Sequence, residues 1–286
     1  MRHSFIKYGS LLLCLMASGC ASNCNLQSSQ SIDREMYFSY TDKSYSVIGY
    51  SGAETNLTIP SAYDDGYHGS YPVTSIGNYA FQNNQQLETI AFPETLVTIG
   101  ELAFSNCFSL MTVNISANVT TINRLAFVYC PKLVSFSVAP SNHFYSAMDG
   151  VLFNYDKTIL INYPETKEGA YVVPASVTKI EESAFYYATK LSSITLPSNL
   201  EVIGDNAFGS CLKLTSIIIP LNVTNVDSWA FFDCESLSEI YCEAESLNKN
   251  WNSDWNPSNR NVCWYSDVAN TDGNHWHYVD SQPAIW

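Results

Sequence analysis

The stretch "IGDNAFGSCLKLTSIIIP", from Ile203 to Pro220, fits neither the period of a helix nor that of a strand. Alignment of the chain with itself explains this spacing, because the same order of residues returns every 23 positions. Three copies align at Ile76, Ile99 and Ile122, and three more align at Ile180, Ile203 and Val226 after an interruption that adds 35 residues to one period. A unit of this length cannot bury its own apolar side, so the period predicts a repeat solenoid in which each coil stacks on the next.

Equivalent residues of successive coils are predicted to contact one another and to form ladders through the stack. The two longest ladders are Phe81, Phe104, Phe127, Phe185, Phe208, Phe231 and Leu87, Leu110, Leu133, Leu191, Leu214, Leu237. The residues after each leucine alternate with period two, which predicts short strands that form a parallel β-sheet on the concave face. Irregular or short helical turns are predicted on the convex side. Gly77, Gly100 and Gly204 are expected there at positive φ.

The spacing IGxxAFxxCxxLxxIxxP resembles the BspA-type leucine-rich repeat, the 23-residue variety of bacterial surface proteins. The resemblance covers Tyr45 to the C-terminus and implies a curved leucine-rich-repeat solenoid. The segment from Tyr45 to Gly77 looks like the N-terminal cap of that family, and the insert from Asn142 to Pro174 looks like one that its members carry. Within the insert, "GVLFN" and "TILINYP" alternate and predict a hairpin. The family also implies adhesion to host or neighbouring-cell proteins.

The N-terminus has the pattern of an export signal. Arg2 and Lys7 surround a basic start, and a short apolar run covers residues 10–17. The following "ASGC" resembles the bacterial lipobox, which implies lipid attachment at Cys20 and a surface protein anchored to the outer face of a bacterial membrane. The alternative is ordinary signal-peptidase cleavage and secretion. The predicted division is a signal peptide 1–19, a flexible tether 20–36, an N-terminal cap 37–72, a solenoid 73–242 with a 35-residue insert near 140–176, and a Trp-rich C-terminal cap 243–286.

Composition and motifs argue against several classes of function. The hydrophobic content of 46% predicts a folded chain, and the net charge of −14 disfavours a nucleic-acid partner. The sequence has no GxSxG, HExxH or Gly-rich phosphate loop, so we predict no enzyme and no cofactor. His275 and His277, with Asp272 and Asp280 near them, lack a further ligand at a known spacing, and no metal site is predicted. Contact with a membrane is expected only through the lipid anchor.

The cysteines and tryptophans each allow two interpretations. Cys107, Cys130, Cys211 and Cys234 share one repeat position, where packing as small buried residues is favoured over disulfides. Cys242 with Cys263 is the best remaining candidate for a disulfide. Five tryptophans fall in the last 36 residues: Trp251, Trp255, Trp264, Trp276 and Trp286. They predict a cap over the end of the stack, and the alternative is an aromatic platform that binds glycans.

The concave sheet is the surface predicted to bind a partner. Most of its outward residues are small and hydroxylic, which favours a flat polar wall over a catalytic pocket. Ile218 and Tyr241 interrupt this pattern near the C-terminal end, and such apolar anchors are typical of binding interfaces. The candidate binding residues are Ser193, Thr195, Ser216, Ile218, Glu239 and Tyr241. The expected partner is an extracellular or host protein. A tail folded over Ile218 and Tyr241 is the alternative.

Overall fold

A computed structural model describes residues 35–286 of the protein. The predicted signal peptide, the lipid-attachment residue Cys20 and most of the predicted tether lie outside these residues. The described part contains no α-helix, so the convex turns are irregular rather than helical. No helix between residues 35 and 286 is long and apolar enough to cross a membrane.

The described chain is a stack of short, mainly parallel strands. The strands are β1 (Met36–Thr41), β2 (Ser44–Tyr50), β3 (Asn56–Thr58), β4 (Ala62–Asp64), β5 (Ser70–Ile76), β6 (Thr89–Ala91), β7 (Thr98–Ile99), β8 (Thr112–Ile115), β9 (Thr121–Ile122), β10 (Ser135–Val138), β11 (Tyr145–Met148), β12 (Val151–Asn154), β13 (Ile159–Asn162), β14 (Gly169–Val172), β15 (Lys179–Ile180), β16 (Leu191–Thr195), β17 (Val202–Ile203), β18 (Ser216–Ile219), β19 (Asn225–Val226), β20 (Glu239–Cys242), β21 (Asn261–Tyr265), β22 (His275–Val279) and β23 (Gln282–Ile285). The convex strands form two sheets, ordered β1-β2-β5-β7-β9 with β4 beside β5, and β11-β12-β13-β15-β17-β19. The concave strands form three sheets, ordered β10-β8-β6-β3, β14-β16 and β18-β20-β21-β22-β23.

The predicted ladders are confirmed. Phe104 and Phe127 are stacked with ring centroids 5.3 Å apart, and Phe208 lies 5.0 Å from Phe185. Leu191 and Leu214 are fully buried. Phe104 and Phe208 have equivalent rings on both faces, so the stack buries apolar surface that a single coil would leave in water.

Backbone hydrogen bonds connect the convex turns in the same register. The Phe104 N–H donates to the Ala126 carbonyl at 2.8 Å, and the Phe208 N–H donates to the Ala230 carbonyl at 2.8 Å. Two residues of each turn adopt positive φ, and these are non-glycine residues such as Leu102 and Asn106. The turns starting at residues 79, 102, 183 and 206 each donate three such bonds to the next turn. Together, these bonds form a hydrogen-bonded ladder of turns on the convex side.

The prediction that Gly77, Gly100 and Gly204 adopt positive φ is wrong, because none of them is among the glycines with that conformation. Their turns come close to neighbouring turns instead. A Cβ on Gly100 would lie 2.5 Å from the Asn78 nitrogen and 2.5 Å from the Gly77 carbonyl carbon. Absence of a side chain at this position therefore permits tight stacking.

The six cysteines of the described part are buried and free. Those in the repeat position donate their S–H groups to phenylalanine carbonyls, for example Cys107 to Phe81 at 3.2 Å. Cys242 and Cys263 lie on neighbouring strands but are offset by one residue, since Tyr241 pairs with Cys263. Adjacent residues of a strand point to opposite faces, so these two thiols do not meet. The candidate disulfide between them is wrong.

The insert divides the core in two. Strands β12 and β13 are antiparallel, as the predicted hairpin requires, and β11 pairs with the other edge of β12. All three residues from Val151 to Phe153 are fully buried. Leu152 belongs to a core cluster with residues 36–136, whereas Val151 and Phe153 belong to one with residues 160–255. Strand β12 is therefore a septum with an apolar core on each face.

Candidate functional site

The structure brings four of the six predicted binding residues together on two neighbouring strands. In the pairing of β18 with β20, Ser216 lies opposite Glu239 and Ile218 lies opposite Tyr241. All four are partly exposed. This arrangement follows from the repeat, because residues 23 positions apart occupy the same place on consecutive parallel strands.

Ser193 and Thr195 lie on β16, which pairs with β14 and not with β18. Both are exposed. They reach the same region at its edge, where Thr195 and Ile218 line a small cavity of about 170 Å³. The six residues thus form one patch across three strands, which we call the concave patch.

The C-terminal tail also contributes to the concave patch. The Trp276 ring packs edge-on against Tyr241, with centroids 5.4 Å apart, and Tyr278 lines the small cavity with Ile218. The Tyr278 hydroxyl donates a 2.6 Å hydrogen bond to the Glu243 carboxylate. The tail therefore lies beside Ile218 and Tyr241 and leaves both side chains partly exposed to solvent. Sequence reasoning missed Tyr278, whose role depends on how the tail folds back.

The phenols of the concave patch are uncharged at neutral pH. Burial raises the pKa of Tyr241, and the nearby Glu239 carboxylate acts in the same direction. Burial also raises the pKa of Tyr278, with a further contribution from its hydrogen bond to Glu243. The Tyr241 hydroxyl is thus a neutral hydrogen-bonding group near the apolar Ile218 side chain, whereas the Tyr278 hydroxyl already donates to Glu243 and can only accept a further hydrogen bond.

The tail tryptophans are used in packing. Trp276 is fully buried and its indole N–H donates to the Cys242 carbonyl at 2.9 Å. Trp251 and Trp255 are also buried, and Trp255 packs edge-on against Phe231 at 5.9 Å. Strand β21 continues the concave sheet beside β20. These contacts close the end of the stack, and they leave Trp264 and Trp286 as the partly exposed rings for the glycan alternative.

The tail histidines have other partners. His275 lies 3.0 Å from the Asp272 carboxylate, and that contact helps to lower the pKa of Asp272. His277 stacks on Trp286 with centroids 3.6 Å apart. Among residues 35–286, no cluster of three or more His, Cys, Asp or Glu side chains is arranged to hold a metal ion.

Comparison with known proteins identifies the repeat. The model of the BspA type leucine-rich repeat region matches residues 69–168 and 163–251 with six copies. No curated protein matches the chain. A leucine-rich repeat protein from Eubacterium ventriosum is 20% identical, with a TM-score of 0.50 over 82% of this chain and 77% of its own. One from Bacteroides ovatus is 22% identical, with a TM-score of 0.50 over 84% of this chain and 62% of its own.

A third solved structure is a leucine-rich cell surface protein from Faecalibacterium prausnitzii. It is 20% identical and covers 87% of this chain and 97% of its own, with a TM-score of 0.48. The Eubacterium and Bacteroides structures, together with the family model, show that the fold is a leucine-rich-repeat solenoid. At these identities the likeness concerns the fold alone.

Proposed function

The chain belongs to the BspA-type leucine-rich repeat family, and on this premise we propose that it is a non-catalytic surface protein that binds other proteins through the concave patch. The expected partner is an extracellular or host protein. Export and lipid attachment at Cys20 are part of the proposal, and the basic and apolar N-terminal pattern supports them.

The composition of the concave patch supports its choice as the binding surface. Hydroxylic side chains of the patch lie beside the partly exposed Ile218 and Tyr241, and the exposed Tyr278 of the tail adjoins them. The patch thus combines a polar wall with an apolar centre. Protein interfaces have this composition, and their aromatic and aliphatic anchors account for most of the binding energy. The patch also lies on parallel strands of a rigid sheet, which lowers the entropy lost on binding.

Substitutions in the concave patch test the proposal. The probe is a host extracellular-matrix and mucosal protein extract immobilised on a biosensor surface. We expect Thr195→Arg and Ile218→Ser each to weaken binding of the full chain by about tenfold or more, because one adds a bulky charge and the other removes an anchor. Phe232→Ala is the matched control, since Phe232 is exposed on a convex turn. Equal binding by all four proteins would reject the concave patch.

A further inference from the structure

The convex ladder of turns is interrupted between the third and fourth coils, and the interruption leaves a cleft. Strand β9 is the last strand of the first convex sheet, and β11 is the first strand of the second. Between them lies a cavity of about 500 Å³, within the usual size range of ligand sites. We call it the convex cleft. It lies at the junction that the β12 septum creates.

Two backbone donors face this cleft without a partner in the described part of the chain. In the preceding turn, the Leu102 and Phe104 N–H groups donate to carbonyls of the next turn. The equivalent N–H groups of Leu125 and Phe127 have no such acceptor among residues 35–286. The equivalent donors of the preceding turn are paired, so this edge of the ladder is incomplete.

Side chains satisfy the neighbouring donors of the same edge. The Glu165 carboxylate accepts from the Cys130 N–H at 2.8 Å, and the Tyr145 hydroxyl accepts from the Ile122 N–H at 2.7 Å. Side-chain oxygens of the chain therefore replace the missing backbone acceptors at both ends of the interruption. Leu125 and Phe127 lie between these ends and have none.

The lining of the convex cleft argues against an anionic occupant. Apolar atoms of Phe127, Phe144 and Ile161 line the cavity, and Phe144 is 50% exposed. Arg124 forms ion pairs with Glu182 on the opposite rim and with Glu101, so its charge is already matched. A free anion would face these carboxylates without an unpaired cation, whereas a peptide carbonyl is an acceptor with no net charge.

We propose that the convex cleft binds an extended peptide segment of a partner protein. Two of its carbonyls accept from the Leu125 and Phe127 N–H groups, as a further coil would, and an apolar side chain enters the cavity beside Phe144. Such backbone pairing at an open edge is a general mode of peptide recognition. This site is distinct from the concave patch and does not depend on the function proposed for it.

A phage-displayed library of random linear peptides, selected on the full chain, tests the proposal. We expect enriched peptides with alternating apolar residues, which slow amide hydrogen exchange at Leu125 and Phe127. Phe144→Ala removes an exposed wall of the cleft, and Ile161→Trp fills it, so each should weaken binding of an enriched synthetic peptide by about tenfold or more. Phe232→Ala should bind like the unaltered protein.

The outcomes separate the two surfaces. Loss of peptide binding in Phe144→Ala, with Thr195→Arg unaffected, supports the convex cleft. The proposal is overturned if no peptide is enriched, if Phe144→Ala binds as tightly as the unaltered protein, or if exchange at Leu125 and Phe127 does not change. Because Phe144 is half exposed, its truncation leaves the fold intact and keeps the test valid even if Ile161→Trp fails to fold.

Discussion

Truncation of one rung of the phenylalanine ladder should strongly destabilise the protein. Phe208 is fully buried and is stacked between Phe185 at 5.0 Å and Phe231 at 5.4 Å. Phe208→Ala leaves a cavity that the rigid coils on both sides cannot close, and the expected loss is about 3 to 5 kcal/mol in the free energy of unfolding. Urea unfolding followed by circular dichroism measures this loss.

The matched control is Phe232→Ala, a substitution of the same type at an exposed position. Surface truncations away from special features change stability by about 0.5 kcal/mol or less. Equal effects of Phe208→Ala and Phe232→Ala would mean that the ladder does not carry the stability of the stack.

The second large effect concerns the buried carboxyl group of Glu165 at the junction. Glu165 is 7% exposed, and its Oε2 has no hydrogen-bond partner among the described residues. Burial raises the pKa of Glu165 from 4.5 to about 8, although the N–H groups of Cys130 and Tyr129 partly oppose this shift. Tyr129, Cys130 and Tyr186 are neighbouring titratable groups that interact with its charge.

The sign of the pH dependence follows from proton binding. Between about pH 4.5 and 8 the unfolded chain loses the Glu165 proton while the folded chain retains it, so stability falls as pH rises. The contribution is complete below pH 4.5 and lost above about pH 8, a change on the order of 5 kcal/mol. Denaturant midpoints measured across this range should show the decline.

Glu165→Gln is the control for this effect. The amide keeps a carbonyl that accepts from the Cys130 N–H and carries no charge. We expect the variant to be at least as stable as the unaltered protein at pH 8, and the difference between the two proteins to diminish towards pH 4.5. A difference that stays constant across this range would contradict the assignment of a protonated Glu165.

The stacking of the repeats could be predicted because similar residue types recur in the sequence at a fixed spacing. Phe104 and Phe127 contact each other, and Leu191 is buried, since stacking makes equivalent positions meet. The concave register could be predicted for the same reason, as the pairing of Ile218 with Tyr241 shows. The period and the apolar pattern therefore suffice to predict the contacts wherever one repeat stacks directly on the next.

The junction could not be predicted, because its contacts join residues that are unrelated by the period. Tyr163 takes the place of a ladder phenylalanine, with its ring 4.8 Å from Phe185, although its surrounding sequence lacks the Ala-Phe pair. This contact depends on the path of the insert between the third and fourth coils, which the period does not describe. The same limit applies to Tyr278, whose approach to Ile218 depends on the turns of the tail.

Residue-resolved amide hydrogen exchange of the unbound protein tests whether the ladder of stacked turns is interrupted at the convex cleft. We expect the Phe104 and Phe208 amides, which donate to the next turn, to exchange orders of magnitude more slowly than the Leu125 amide at the interruption. A Leu125 amide as strongly protected as that of Phe104 would contradict the interruption. Rapid exchange at Phe104 and Phe208 would contradict the ladder itself.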